Sequence, residues 1–284
     1  MSSRATRANS TTPRSSLGGL AAEPTVPDSL TFVGHATVLV ELGGVRLLTD
    51  PILSGRIAHL RRHGGAVDAD SLGGLDAVLV SHAHLDHLHA ASLRQLAAKR
   101  PQPTLVIPRG LRRHVAKLGF DAIVELTAGE TTEIAGLPIA ATRADHDSRR
   151  HPFGPPAEAL GYLVGGAGRQ VYFAGDTDAF PEMATLAEDL EVALLPVWGW
   201  GPSLGPGHLD PRAAAETLKL LRPRLAIPIH WGTLFPFALD LLRGKAPLLS
   251  APPHEFARAA ADLAPEVDVQ VLQPGEALRL PAPR

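Results

Sequence analysis

The distribution of apolar positions along the chain predicts a mixed fold of strands and helices. The run Ala77–Val80 is short and wholly apolar, which is typical of a buried strand. Two β-rich runs, Val38–Leu42 and Val45–Leu48, flank a Gly-Gly pair, and this pattern predicts a hairpin. A helix is expected over Pro211–Leu221, because an aspartate precedes it as N-cap and its proline suits the first helical position.

The same reasoning extends over the rest of the chain. Further strands are expected at Thr31–Val33, Leu105–Ile107, Ile123–Leu126, Leu137–Thr142, Leu160–Val164, Val171–Ala174, Leu225–Ile229, Val267–Val271 and Ala277–Leu280. Further helices are expected near His87–Lys99, Leu111–Leu118 and Pro253–Leu263, and Asp178 could be the N-cap of a helix over Ala179–Leu190. Because hairpins alternate with strand–helix units, the pattern predicts an α/β protein with two mixed sheets flanked by helices. No repeat or linker divides residues 27–284, which are expected to form a single domain.

The first 26 residues differ from this pattern. They hold three arginines and no acidic residue before Glu23, a composition that cannot bury a core and predicts a disordered tail. An organelle targeting segment shares this composition, and that alternative stays open. The tail lacks the apolar run of a secretory signal, and no segment approaches the roughly 18 apolar residues of a membrane span. We therefore expect a cytoplasmic protein without stable membrane insertion.

Composition and charge exclude several classes of function. The chain has 284 residues, 45% of them hydrophobic, which is enough for a substantial core. Its 27 basic and 29 acidic residues give a net charge of −2, so no nucleic-acid partner is expected. The absence of cysteine excludes disulfides, thiolate metal sites and cysteine nucleophiles. The 13 histidines point instead to imidazole chemistry, since histidine is the commonest metal ligand.

One short segment concentrates that chemistry. The sequence Ser81–His87 directly follows the apolar run Ala77–Val80 and has the form H-x-H-x-D-H. In an extended chain, residues two apart project to the same side, so the first two histidines of the motif can bind one metal ion. The next turn presents an aspartate and a third histidine to a second metal ion. Other strand-end acids and imidazoles follow the same pattern at Asp50, Asp145–Asp147, Asp176–Asp178 and His230.

Taken together and in this order, these segments resemble the metallo-β-lactamase superfamily over about residues 30–235. The segments Gly34–Thr37, Leu48–Pro51 and Ile229–Thr233 are similar to the branch that contains N-acyl phosphatidylethanolamine phospholipase D and the L-ascorbate 6-phosphate lactonases. The resemblance implies an αββα sandwich with a binuclear metal site at one edge.

Carried over by position, the resemblance also implies a ligand set. It places His82, His84 and His146 on the first metal ion, Asp86, His87 and His230 on the second, and Asp176 between the two. Asp50 would orient the histidine loop from behind the ligands, and His35 would pack beneath the site. Zinc is the expected metal, and nitrogen and oxygen ligands also suit manganese or iron.

Several residues are candidates for contacts with substrate. His208 lies in a Gly-rich segment before a helix start, where it could donate a proton to the leaving group or simply support the helix. Trp198 and Trp200 lie in a Gly/Pro-rich loop that departs from the family pattern, and they could line an apolar pocket or pack on the core. Arg149 lies near His146 and could hold an anionic substrate.

The expected function is hydrolysis of an ester-type bond by a hydroxide bridging two metal ions, with Asp86, Asp176 and His208 as catalytic groups. A phosphodiester is the first expectation, and a lactone or other carboxylic ester is the alternative. A remote alternative is a non-hydrolytic metal-binding protein or a di-iron redox protein. The expected partner is a small or lipid-like ester substrate, and the sequence leaves the oligomeric state open.

Overall fold

The computed structural model describes residues 27–150, 157–166, 169–186, 188–199, 205–239 and 245–281. Its strands are β1 (Ser29–Gly34), β2 (Thr37–Leu42), β3 (Val45–Thr49), β4 (Arg56–Ile57), β5 (Leu60–Arg62), β6 (Ala77–Leu79), β7 (Thr104–Pro108), β8 (Ile123–Leu126), β9 (Thr131–Ile134), β10 (Leu137–Arg143), β11 (Leu160–Gly166), β12 (Arg169–Phe173), β13 (Val192–Pro196), β14 (Leu225–Ile229), β15 (Leu234–Pro236), β16 (Asp268–Val269) and β17 (Glu276–Arg279). Its α-helices are α1 (Ala90–Ala97), α2 (Arg112–Val115), α3 (Pro211–Leu221) and α4 (Lys245–Leu263).

Two seven-stranded mixed sheets dominate the structure. The first has the order β17-β1-β2-β3-β6-β7-β8, and the second has the order β16-β14-β13-β12-β11-β10-β9. In both sheets, antiparallel hairpins pass into parallel strands: β3, β6, β7 and β8 run parallel in the first, and β12, β13, β14 and β16 in the second. A third sheet has the order β15-β5-β4, and its strand β15 follows the segment that carries His230.

The layers follow from side-chain alternation along the strands. In and just after β6, Ala77 and Leu79 belong to the cluster of side chains shared with the second sheet, whereas Val78 and Val80 belong to the cluster shared with α1 and α2. Successive residues of a strand face opposite sides, so one strand supplies both layers. Helices α3 and α4 pack on each other and on β13 and β14. The arrangement is the predicted αββα sandwich.

Four helical segments differ from the sequence expectations. Helix α1 begins at Ala90 rather than His87, with His89 as its N-cap, and α2 is a single turn rather than residues 111–118. Helix α4 begins eight residues earlier than predicted and continues through two prolines. The stretch 179–190, expected to be helical, contains a 3-10 helix over Pro181–Thr185. None of the helices in the described ranges is long and apolar enough to cross a membrane.

Candidate metal centre

The predicted ligands converge at one edge of the sandwich. The histidine motif follows β6 of the first sheet, whereas His146, Asp176 and His230 follow β10, β12 and β14 of the second sheet. Ligand sites in open α/β folds lie outside the carboxyl ends of strands, where loops from several strands meet. Both sheets therefore contribute side chains to a single centre.

Three imidazoles form the first cluster. The Nε2 atom of His82 lies 3.0 Å from Nδ1 of His84, and Nε2 of His146 lies 3.1 Å from the same atom. These ligand atoms all lie within 4.8 Å of one another. A hydrogen bond between two ring nitrogens needs a proton on one and a lone pair on the other. A cation at the point that all three nitrogens face could instead bind the lone pair of each, so the geometry suits a metal ion.

A second cluster lies beside the first. The Nε2 atoms of His87 and His230 are 3.2 Å apart, and Oδ2 of Asp86 is 3.7 Å from each of them. His35 joins this cluster, because its Nε2 lies 3.2 Å from Oδ2 of Asp86. A carboxylate only accepts hydrogen bonds, so His35 donates from Nε2 to Asp86. His35 therefore does more than pack beneath the site, since it holds one of the predicted ligands.

Asp176 lies between the two clusters. Its Oδ2 is 3.2 Å from Nε2 of His87, and its Oδ1 is 3.3 Å from Nε2 of His230. The same carboxylate also falls within ligand range of His146 and His208. Its Oδ1 is buried and accepts no hydrogen bond, a costly state for a carboxylate oxygen unless a cation occupies the centre. This position is the one that a bridging ligand requires.

Outer hydrogen bonds fix which ring nitrogen faces inward. The Nδ1 atom of His146 donates to the carbonyl of Gly207 at 2.8 Å, and Nδ1 of His230 donates to the carbonyl of Trp198. The Nδ1 atom of His87 donates to Oδ2 of Asp50 at 2.6 Å. With one proton held outside, Nε2 is the nitrogen that faces the centre, as metal ligation requires.

Asp50 also orients His82 through an intermediate residue. The Oγ of Ser81 donates to Oδ2 of Asp50 at 2.6 Å, and its backbone N–H donates to Oδ1 at 2.7 Å. With its own proton committed to Asp50, Ser81 Oγ accepts from Nδ1 of His82 at 2.9 Å. One buried carboxylate thus sets the tautomer of a histidine in each cluster. The sequence analysis did not assign a role to Ser81, although its place between the strand end and the first histidine was a signal.

Backbone strain coincides with the centre. The φ angles of Asp50, His35 and His230 are 32°, 57° and 63°, in the left-handed region that non-glycine residues rarely adopt. Each such residue costs on the order of 1–3 kcal/mol, and such strain concentrates at functional sites. All three residues point a polar side chain into the centre or hold one of its histidines.

The two clusters differ in their electrostatics. Burial lowers the pKa of His82 well below 6.5 and that of His146 to about 4, so both rings are neutral at neutral pH. Burial acts in the same direction on His87, but the carboxylates of Asp176, Asp86 and Asp50 outweigh it and raise the pKa of this ring well above 6.5. His35 has a pKa of about 3, lowered by burial and then by the nearby His230.

The donor set fits divalent metal ions. Imidazole nitrogens and carboxylate oxygens without sulfur suit zinc, manganese and iron, and the unpartnered Asp176 oxygen supplies the negative charge such ions require. His82, His84 and His146 would hold one ion, and Asp86, His87 and His230 a neighbouring one.

The residues predicted to contact substrate are distributed differently. His208 is partly exposed, with Nε2 3.9 Å from Oδ2 of Asp176 and its ring 4.7 Å from that of His146. Trp198 is buried in the core cluster and reaches the centre through its backbone carbonyl. Arg149 is exposed and pairs with Asp147 two residues before it. Trp200 lies outside the described residues. Substrate contacts by these residues stay predictions.

Comparison with known proteins identifies relatives of this chain. A sequence model of the β-lactamase superfamily domain matches residues 45–231. A UPF0173 metal-dependent hydrolase of Methanopyrus kandleri is 34% identical over 252 residues, which cover 87% of this chain and 97% of that protein. The N-acyl-phosphatidylethanolamine-hydrolyzing phospholipase D 1 of Caenorhabditis elegans is 31% identical over 225 residues, covering 72% of this chain and 63% of that protein.

A solved structure extends the similarity to three dimensions. The metallo hydrolase Igni18 of Ignicoccus hospitalis superposes with a TM-score of 0.66 and 26% identity, covering 89% of this chain and 98% of that one. The matched sequence spans most of the ligand-bearing loops, and the superposition spans both sheets. The chain therefore belongs to the β-lactamase superfamily and, within it, to the UPF0173 metal-dependent hydrolases.

Proposed function

We propose that this protein is a hydrolase that uses two divalent metal ions, with zinc as the first choice, to cleave a phosphodiester in a small or lipid-like substrate. The observation that carries the proposal is the pair of ligand clusters joined by Asp176, whose Oδ1 is buried without a hydrogen-bond donor. When bound, two such ions supply a water molecule of lowered pKa and Lewis-acid stabilisation of the negative charge that develops on the substrate.

The protein's own residues prepare that chemistry. Asp50 and Ser81 hold the inward tautomers of His82 and His87, so that no ring has to reorient when a metal ion arrives. His35 restrains Asp86 through a hydrogen bond of 3.2 Å. The carboxylates of Asp86 and Asp176 offset the charge of two cations at a centre that is otherwise built from neutral imidazoles.

His208 is suited to proton transfer. It stands beside the first cluster with its Nδ1 facing the carbonyl of Pro206 at 3.3 Å and its Nε2 directed toward Asp176. Its partial exposure leaves room for a substrate at Nε2. In the proposed reaction His208 acts as the imidazolium: it keeps its Nδ1 proton toward the Pro206 carbonyl and donates its Nε2 proton to the leaving-group oxygen, a contribution of typically 10²–10⁴-fold in rate.

The support for a phosphodiester substrate is the sequence similarity to a phospholipase D. The phospholipase D relative hydrolyses a phospholipid by its name and shares 31% identity over most of this chain. The match to the UPF0173 relative covers 97% of that protein. Its name states that it is metal-dependent and gives no substrate.

The direct test is p-nitrophenol release from bis(p-nitrophenyl) phosphate by zinc-loaded and manganese-loaded protein. We expect metal-dependent turnover that is lost in His82→Ala. No turnover, with two metal ions shown to be bound, would overturn the phosphodiester and leave a lactone or other carboxylic ester as the substrate class. Protein that binds no divalent metal ion at all would overturn the metal-dependent hydrolase.

The role of His208 has its own test in the leaving group. p-Nitrophenolate departs without much protonation, whereas an alkoxide needs a proton. We therefore expect His208→Ala to lose far more activity on a phosphodiester with an alkyl alcohol leaving group than on bis(p-nitrophenyl) phosphate, with unchanged metal content. Equal losses on both substrates would rule out proton donation.

A further inference from the structure

Arg150 contacts the histidine motif without belonging to its ligands. Its Nη1 donates to the carbonyl of Ala83 at 2.7 Å and to the carbonyl of Leu88 at 3.2 Å. Ala83 lies between His82 and His84, and Leu88 directly follows His87. A single guanidinium nitrogen thus holds both ends of the segment that carries the motif, and closes it into a loop.

The same arginine joins two separate parts of the chain. Arg150 comes four residues after His146, on the segment that leaves β10 of the second sheet, whereas the motif follows β6 of the first sheet. The first cluster depends on the relative position of these two segments, because two of its rings come from the motif and the third, His146, comes from the segment of Arg150. A shift between the segments would change the distance from His146 to His84, now 3.1 Å between ring nitrogens.

Arg150 is partly buried, so its charge has lost solvation that an exposed arginine keeps. Burial lowers the pKa of its guanidinium, and within the described residues no carboxylate lies within 4.0 Å of it. Its positive charge also lowers the pKa of His89, the N-cap of α1, after the larger effect of burial on that ring. The guanidinium is therefore held at the loop by backbone carbonyls rather than by an ion pair.

The neighbouring Arg149 provides the contrast. It is exposed and its guanidinium pairs with Asp147 on the same segment. Two adjacent arginines thus point to different partners, one local and one 67 positions away in the chain. The sequence places both arginines near His146, and the structure directs Arg150, rather than Arg149, to the histidine motif.

We propose that Arg150 is a positioning residue, which sets the spacing between His146 and the His82–His84 pair and so determines the coordination geometry and affinity of the first metal ion. This inference rests on the metal centre of the proposed function. It requires no contact between Arg150 and substrate.

The test uses cobalt(II), whose visible absorption reports coordination geometry without any substrate. Arg150→Met and Arg150→Gln each remove the charge and the reach to both carbonyls, Arg150→Lys keeps the charge, and Arg149→Ala is the matched control. Loss of an outer partner typically costs 10–100-fold in metal affinity. We expect the Met and Gln variants to bind the first cobalt ion that much more weakly with an altered spectrum, the Lys variant to fall between, and the control to match wild type.

The outcomes separate this inference from the proposed function. Wild-type protein that binds no cobalt overturns the metal centre itself. A wild type that binds cobalt, together with a folded Met or Gln variant of unchanged affinity and spectrum, overturns only the role of Arg150. If neither neutral variant folds, the Lys variant decides, and an unchanged spectrum and affinity in that variant overturn the proposal. Weakened binding in Arg149→Ala equal to that of the Arg150 variants also overturns it.

Discussion

At the scale of single residues, the two clusters hold different charge before any metal ion binds. His82 and His146 are neutral because burial lowers their pKa values, whereas the surrounding carboxylates keep His87 protonated well above pH 6.5. A metal ion needs the ring lone pair, so it must displace the proton of His87 and none from the first cluster. The carboxylates of Asp176 and Asp86 also outweigh burial at His230 and raise its pKa above 6.5. We therefore expect metal binding at pH 6 to release on the order of one to two protons, from His87 and His230.

Calorimetry in two buffers of different ionisation heat measures this release. The choice of pH 6 keeps a water molecule on a catalytic zinc ion, with a pKa of about 7, largely protonated, so that it contributes little. His146→Ala is the control, because it removes a ring that is already neutral and should leave the release unchanged. Binding of two metal ions without proton release would contradict the charge assigned to His87 and His230.

The sequence was sufficient to predict which residues gather at the candidate site, but it was not sufficient to predict which partners orient them. The H-x-H-x-D-H motif supplied four of the side chains that the structure brings together. The partners that orient them are distant in the chain: Asp50 is 31 positions from Ser81, and His35 is 51 positions from Asp86. Such pairs arise only when the strands of the first sheet assemble, because Asp50 follows β3, His35 follows β1, and Ser81 and Asp86 follow β6. They carry no local pattern. The role of His35 toward Asp86 therefore appeared only in the structure.

At the scale of elements, strand interiors followed their apolar pattern and α3 covers the predicted Pro211–Leu221, whereas α1, α2 and α4 differ from their predicted bounds. Residues 87–89 were expected to begin α1, but His87 is held outside the helix by Asp50 and the helix begins at Ala90. Tertiary hydrogen bonds thus override local helix propensity at the site. Burial of alternate strand residues depends only on the sheet pleat, and for that reason β2, β3 and β6 were predicted within one or two residues.

The contact between two strand ends gives an element-scale prediction. Gly175, at the end of β12, has a φ of 63°, and a Cβ there would lie 2.7 Å from Cβ of Ser81 beyond β6. Gly175→Ala must push apart the strand ends that carry Asp176 and His82. We expect a loss of about 1–3 kcal/mol in unfolding free energy from overpacking, beyond the backbone cost, together with weaker metal binding.

Gly43→Ala is the control that separates the collision with Ser81 from the cost of a left-handed backbone. Gly43 has a φ of 56°, and a Cβ there would meet nothing within 4 Å. Both variants bear the cost of a left-handed alanine, about 1–2 kcal/mol, and only Gly175→Ala bears the collision. Chemical denaturation and zinc competition would measure both. Equal destabilisation with equal metal affinity would show that the two strand ends tolerate separation.

At the scale of the whole molecule, each proposed metal ion would connect the two sheets. Each cluster takes ligands from the loop after β6 of the first sheet and from a loop of the second: His146 completes one cluster, and His230 the other. The sheets otherwise meet through the apolar cluster between them and through a few hydrogen bonds, such as those from the Leu160 N–H to the Ser81 carbonyl and from the His230 N–H to the His35 carbonyl. Metal binding should therefore resist separation of the layers as well as prepare the site.

This geometry predicts metal-dependent stability. A ligand that binds only the folded state adds about 2.7 kcal/mol at 100 times its Kd, so zinc-loaded protein should unfold at a higher temperature than chelator-treated protein. Substitution of one ligand from each sheet, His84→Ala with His230→Ala, weakens both clusters and should abolish most of the difference. The Arg149→Ala variant should retain the full difference. Identical unfolding of loaded and stripped wild-type protein, with metal shown to be bound, would mean that the ions bind the unfolded chain as tightly as the folded one, which would contradict a centre formed only when the two sheets meet.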